Sequence, residues 1–274
     1  MMKQQQTSPD PEYYIEPRLH ENLIEIRNGL KRRDKDYVMI VDGLEGSGKS
    51  TLGIQMAYIV DPTLCLDRIT FTGNEFKTAI LNASQCQAVI FDEAFTGLSS
   101  RSALSEINRM LVSLMMQMRQ KNLFVIIILP SYFLLDKYVA LFRAKSLVHV
   151  HESRGKRGYF AIYNARLKKF LYLKGHKTYD YGQIRTNFRG RFYGKYALGE
   201  EEEVKYRQKK GQAFADMDYE HKENKAHEIK RKIAQYFWKR DKKVNEIEYI
   251  MTNDMGIEVR ERQVQRYVAD LRGK

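Results

Sequence analysis

Tyr37-Val38-Met39-Ile40-Val41-Asp42-Gly43-Leu44-Glu45-Gly46-Ser47-Gly48-Lys49-Ser50-Thr51 is the stretch from which the rest of the chain is read. Tyr37 to Val41 is apolar and partly β-branched, as a strand buried on both faces is. Gly43, Gly46 and Gly48 then allow a tight turn. A helix is expected from Ser50 to about Val60, ending at Asp61-Pro62 because the residue before proline is pushed out of helical conformation. Strand, glycine-rich turn and helix follow one another without a gap.

Working outward, further short apolar strands are expected at Ile69 to Phe71, Ala88 to Phe91, Leu123 to Leu129 and Leu147 to Val150. Helices are expected near Glu75 to Leu81 and over Phe133 to Arg143. Another begins at Leu104, where Ile107, Leu111, Leu114, Met115 and Met118 form a helical stripe. Strands alternating with helices predict an α/β fold with a parallel sheet covered on both sides. This core spans residues 36–151, preceded by an N-terminal arm over residues 1–35.

The pattern changes after His151. Gly158 to Tyr163 and Phe170 to Leu173 read as two strands of a basic, β-rich appendage over residues 152–200. Residues 201–225 read as a solvated helix and a polar linker, with Glu200 to Glu203 ahead of Lys209 and Lys210 in the order a helix dipole favours. Residues 226–274 read as a small all-α module.

The chain has 274 residues, of which 43% are hydrophobic, enough for a real core. Its 47 Lys and Arg against 34 Asp and Glu give a net charge of +13, which suits a polyanionic partner. Cys65 and Cys86 have neither metal-ligand spacing nor the look of a disulfide framework. The opening MMKQQQTSPDPEYY lacks the apolar run of a signal peptide, and Leu123 to Leu135 is short and broken by Pro130-Ser131. A cytoplasmic protein with no membrane partner is expected.

Gly43 to Thr51 matches G-x-x-x-x-G-K-[ST], the Walker A pattern. In that pattern Gly43, Glu45, Gly46, Ser47 and Gly48 curl the backbone so that N–H groups face phosphate oxygens, and the following helix adds its positive end. Lys49 supplies a mobile positive charge between the terminal phosphates, and the hydroxyl of Ser50, beside Thr51, faces Mg²⁺. ATP and Mg²⁺ are therefore the expected cofactors. Ala88 to Phe91 ends in Asp92-Glu93, and acids at the carboxyl end of a parallel strand lie where such sheets bind ligands. Asp92 is read as a metal-holding carboxylate and Glu93 as the group that polarises the attacking water. The bland alternative is a solvated acidic pair opening a loop.

This pairing resembles the additional-strand group of P-loop ATPases, which includes RecA-like motors, FtsK/HerA translocases and viral DNA-packaging ATPases. The resemblance implies a RecA-like core with an extra strand between the two Walker strands, here Leu123 to Leu129. Met118 to Leu123, Leu129-Pro130-Ser131, Leu135-Asp136-Lys137 and Phe142-Arg143-Ala144 are similar to the corresponding stretch of the FtsK/HerA and Zot-like ATPases. That similarity implies Ser131, where Gln is commoner, as a γ-phosphate sensor, and Arg143 as a finger reaching a neighbouring subunit. A surface arginine complementing a helix end is the alternative for Arg143.

Between His151 and Glu200, twelve Lys or Arg stand against three acids, a balance of +9, interleaved with Tyr159, Phe160, Tyr163, Phe170, Tyr172, Phe188, Phe192 and Tyr193. Positive charge neutralises phosphates and aromatics stack on bases, although these rings also suit a core. Lys156 and Arg157, in a tight turn, are candidate DNA contacts. At the end of the chain, Ile229, Ile233 and Phe237, then Val244, Ile247 and Ile250, then Val264, Val268 and Leu271 form three helical stripes. Asn253 to Gly256 is a turn before the last, as in helix-turn-helix modules. Arg260, Arg262, Gln263, Gln265 and Arg266 are candidate readers of phosphates and purine edges; a three-helix bundle for protein contacts is the alternative.

Together these readings predict an ATP-hydrolysing DNA motor of viral or mobile-element type, for packaging or translocation. It would self-associate into a ring such as a hexamer and work with a portal, nuclease or other DNA-processing partner. A non-motor ATPase switch for transposition or replication initiation is the first alternative. A small-molecule kinase is the second.

Overall fold

The computed structural model describes residues 13–92, 108–114 and 118–271. In chain order its elements are β1 (Tyr13–Ile15), α1 (Pro17–Arg32), β2 (Tyr37–Gly43), α2 (Lys49–Val60), β3 (Ile69–Thr70), α3 (Gly73–Asn82), β4 (Ala88–Phe91) and β5 (Phe124–Leu129). Then come β6 (Ala144–Ser153), β7 (Lys156–Asn164), α4 (Ala165–Gly175), β8 (Phe188–Gly194), α5 (Glu200–Trp238), α6 (Val244–Tyr249) and α7 (Glu261–Val268). Residues 108–114 are also helical. The chain divides into two compact units, Met1–Gly211 and Gln212–Lys274, and α5 begins in the first and ends in the second.

The first unit is α/β, with helices flanking an eight-stranded, mostly parallel sheet in the order β1-β8-β7-β6-β2-β5-β4-β3. The strands from β6 to β3 run parallel, and β7, β8 and β1 add to them antiparallel. β5 pairs with both β2 and β4, so it lies between them. All six of its residues are buried, as the unbroken Phe124 to Leu129 run requires for a strand covered on both faces. On one face Val38, Ile40, Val125, Ile127 and Leu147 pack in a core with Phe76 of α3 and Leu171 of α4. On the other, α2 crosses the sheet so closely at Gly53 that a Cβ there would lie 2.7 Å from the Ile128 side chain.

Several expectations change. The N-terminal arm is structured from Tyr13 onward: β1 extends the sheet edge, and Leu19, Leu23 and Leu30 bury one face of α1. Phe170 to Leu173 is helix, not strand. Asn164 caps α4 by accepting from Arg166 N and Leu167 N, and Leu171 and Tyr172 turn inward at helical spacing. The basic segment is no separate appendage, because β7 and β8 continue the main sheet. The helix expected over Phe133 to Arg143 breaks into a 3₁₀ turn, Tyr132–Leu134, and a π turn, Val139–Arg143. Asn108 accepts from Asp136 N, and the Asp136 carboxylate accepts from Tyr138 N, both at 2.7 Å, which stops and restarts the chain there. The linker expected near residues 201–225 is continuous with α5, whose Glu, Lys, Gln and Ala residues favour helix. Residues 104–107 and 115 of the stripe that begins at Leu104 lie outside the described residues.

In the second unit Ala234, Ile247, Met251, Val259, Val264 and Val268 form one buried cluster. It draws on the end of α5, on α6 and on α7: of the three apolar stripes, Ile247, Val264 and Val268 are buried in it and Ile233, Phe237 and Val244 pack against it, whereas Ile229 is exposed.

Candidate functional site

The glycine-rich loop leaves the carboxyl end of β2 and leads into α2. Gly43 has φ +146°, and a Cβ there would stand 2.1 Å from the Val150 carbonyl oxygen of β6, so only glycine fits. Gly48 has φ +96° and faces the Phe192 ring of β8. Lys49 is buried, its ammonium folded back to donate to the Leu44 carbonyl at 2.8 Å. Ser47 is buried too, and among the described residues its Oγ has no hydrogen-bond partner.

Ser50, in the first turn of α2, donates from Oγ to Asp92 Oδ1 at 3.0 Å. Asp92 is fully buried just beyond β4, and its own N–H donates to Thr70 O at 2.8 Å. Two residues of α5 converge on the same carboxylate. The Tyr206 hydroxyl donates to Asp92 Oδ2, and Lys210 Nζ lies 3.5 Å from that oxygen and 3.4 Å from Ser50 Oγ. Burial, then the Asp92 charge and this hydrogen bond, push the Tyr206 phenol well above its ordinary pKa, so it remains a donor.

Of these groups Ser50 and Lys210 line a cleft of about 430 Å³, walled by loop residues Gly46 to Thr51, Arg157, Phe192, Tyr193, Tyr196 and Lys210, with Asp92 and Tyr206 buried behind them. Cationic and N–H-rich on the loop side, with a hydroxyl–carboxylate pair at one edge, it can accept an anion together with a divalent cation. Three features fit a triphosphate with Mg²⁺: the glycine conformations, the unpartnered Ser47 hydroxyl and the Ser50–Asp92 oxygens. Among the described residues no three His, Cys, Asp or Glu side chains gather as a chelating set. A larger cavity of about 770 Å³ lies between α1 and the amino ends of β2 and β6, away from the loop.

Of the expected site residues, Gly43, Gly46, Ser47, Gly48, Lys49, Ser50, Thr51 and Asp92 come together at one end of the sheet. Glu45 is exposed on the loop. Glu93 lies outside the described residues. Ser131 follows β5; its Oγ is 3.1 Å from the Tyr181 hydroxyl and accepts from Phe133 N.

Arg143 is placed differently. It forms an ion pair with Asp36 at the amino end of β2, and in register Ala144 stands opposite Val38 while Val150 stands opposite Gly43. Arg143 and the loop are thus at opposite ends of the sheet; Arg143 does close the π turn, as the helix-end alternative has it, but it is largely buried and paired with Asp36 instead of lying on the surface. Arg157 pairs with Glu152 at 3.1 Å and its guanidinium approaches Gly46 at the border of the cleft; it and Lys156 are both exposed. On α7, Arg262 and Arg266 are exposed, as is Arg260 just before it. The Gln263 side chain accepts from Arg260 N at 2.9 Å, which commits it to the helix cap.

Sequence reasoning missed Asp42, Tyr206 and Lys210. Asp42 is a fully buried carboxylate at the end of β2, accepting from Tyr132 N at 2.7 Å and from the Tyr181 hydroxyl, with His149 Nδ1 at 2.9 Å. Its signal is an acid closing an apolar strand. Tyr206 and Lys210 share only a helical spacing of four, which says nothing of their meeting Asp92.

No model of a known protein family matches this chain, and no curated protein matches it. Among the described residues no helix is long and apolar enough to cross a membrane.

Proposed function

We propose that the chain is an ATP-hydrolysing, DNA-associated motor with a RecA-like P-loop core of the additional-strand kind. The observation that carries this reading is the Ser50–Asp92 hydrogen bond beside the glycine loop, with β5 inserted between the strands that bring the two together. Gly46 to Thr51 and Lys49 would hold the phosphates of ATP, and Ser50 and Asp92 would hold Mg²⁺. The metal, when bound, neutralises charge on the phosphate oxygens. Tyr206 orients Asp92 by its hydrogen bond. Glu93, next in the chain, is the proposed group that draws a proton from water.

Support for a polynucleotide partner comes from the antiparallel part of the sheet. Arg191 lies over the Tyr159 ring at 5.1 Å, Tyr159 stacks on His151, and Tyr193 stacks on Tyr14 at 4.8 Å, with Arg189 and Arg191 exposed. Such a surface neutralises phosphates and offers rings to bases. The second unit, with exposed Arg260, Arg262 and Arg266, is proposed as a helix-turn-helix module that recruits the core to DNA.

The in-chain pairing of Arg143 removes one reason for a ring and favours, as a second reading, a non-motor ATPase switch on DNA. Phosphate release measured with and without duplex DNA tests the proposal. Turnover stimulated by DNA and lost in Glu93→Gln, with ATP binding kept, is expected. A wild-type chain that releases no phosphate under either condition contradicts it. Displacement of a protein roadblock separates the motor from the switch.

A further inference from the structure

We propose that Lys210 is the cation that binds the terminal phosphate of the nucleotide, acting within its own chain; this rests on the ATP-binding reading above. The charge that was expected from Arg143 is at the far end of the sheet, whereas Lys210 lines the cleft itself. Its ammonium lies between Ser50 Oγ and Asp92 Oδ2, at 3.4 and 3.5 Å, the oxygens that suit a divalent cation.

An ammonium and Mg²⁺ this close repel strongly even with surface-like screening. If Ser50 and Asp92 held a divalent cation, the ammonium would therefore have to move. It sits on a flexible four-carbon stem, and its backbone is held by neighbours. Tyr206, one turn earlier, is buried against Asp92, and Lys209 donates to Ile69 O at 2.7 Å and Leu66 O at 3.1 Å. Swinging from a fixed base beside the loop, Lys210 would stay within the cleft that the loop lines and would there meet the terminal phosphate of a bound triphosphate. A diphosphate lacks that group. Lys210 thereby distinguishes triphosphate from diphosphate, and α5 senses which is bound.

The test is fluorescence titration of wild type, Lys210→Ala, Lys210→Arg and Lys209→Ala with methylanthraniloyl-ATP and methylanthraniloyl-ADP in Mg²⁺. Lys210→Ala is expected to weaken ATP binding about tenfold and ADP binding less than about twofold, Lys210→Arg to restore most of the difference, and Lys209→Ala to leave the ATP-to-ADP ratio unchanged. Equal weakening of both nucleotides, or no weakening, overturns the assignment while leaving the nucleotide site in place. A wild-type chain that binds neither nucleotide overturns the ATP-binding reading and this inference with it.

Discussion

The Ser50 hydroxyl donates to the Asp92 carboxylate at 3.0 Å, although one residue follows β2, the other follows β4, and β5 runs between those strands. In the proposed site this pair holds the metal. Ser50→Ala should therefore raise the Mg²⁺ concentration needed for tight ATP binding by about tenfold, while binding in EDTA stays within about twofold of wild type. Metal titrations at fixed nucleotide measure this, and an unchanged Mg²⁺ requirement would remove Ser50 from the metal site.

Arg143 and Asp36 should act as a structural pair. Removing either partner leaves the other charge poorly solvated, so Arg143→Ala is expected to lower unfolding stability by about 3 kcal/mol with nucleotide affinity unchanged. In urea denaturation the Asp36→Ala, Arg143→Ala double variant should lose clearly less than the two single losses combined. Strict additivity would show that the pair does not couple.

Lys168 is fully buried in α4, donating to the Ala140 carbonyl and, at 3.4 Å, to that of Leu141. Burial, then the charges of Lys169 and Lys145, pull its pKa down from 10.5 to about 7. The unfolded chain binds the extra proton between these values, so stability rises with pH across that window. About 2 kcal/mol should be gained between pH 7 and pH 9. Buried tyrosines end the gain: Tyr163 is pushed up to about 12 by burial and by Asp42, and such groups lose stability as pH passes their unfolded value near 10. Urea midpoints at pH 7 and pH 9 should separate in wild type and draw together in Lys168→Met. A flat wild-type profile would refute the assignment.

The second unit should bind DNA through its exposed arginines. Alanine at Arg260, Arg262 and Arg266 together should lower DNA affinity and reduce the slope of log affinity against log salt by about three. Fluorescence anisotropy at several salt concentrations reads both. An unchanged slope would point to the protein-contact alternative for this bundle.

Most of the parallel core was legible because its strands contain short apolar runs, and Ala88 to Phe91 emerged with the bounds expected, whereas β6 runs beyond the expected Leu147 to Val150 through polar residues such as Lys145, His151 and Glu152. The loop was legible because Gly43, Gly46 and Gly48 all adopt positive φ, which their spacing ahead of Lys49 and Ser50 anticipates. What was not legible depends on distant partners. Phe170 to Leu173 has the residue types of a strand, and only the Asn164 cap with inward packing of Leu171 makes it helix. Arg143 sits at the end of an apolar segment in either reading, and only its pairing with Asp36, across the sheet register, reveals its place. Lys210 looks like a solvated helix residue until α5 lies beside Asp92.

Calorimetric titration of MgATP into the wild-type chain and into Lys49→Ala tests the central claim most directly. The wild type should bind one nucleotide per chain, and Lys49→Ala should bind at least about tenfold more weakly, because the ammonium beside the loop is gone. No binding by the wild type, or equal binding by both, would contradict the assignment of this loop to a nucleotide's phosphates.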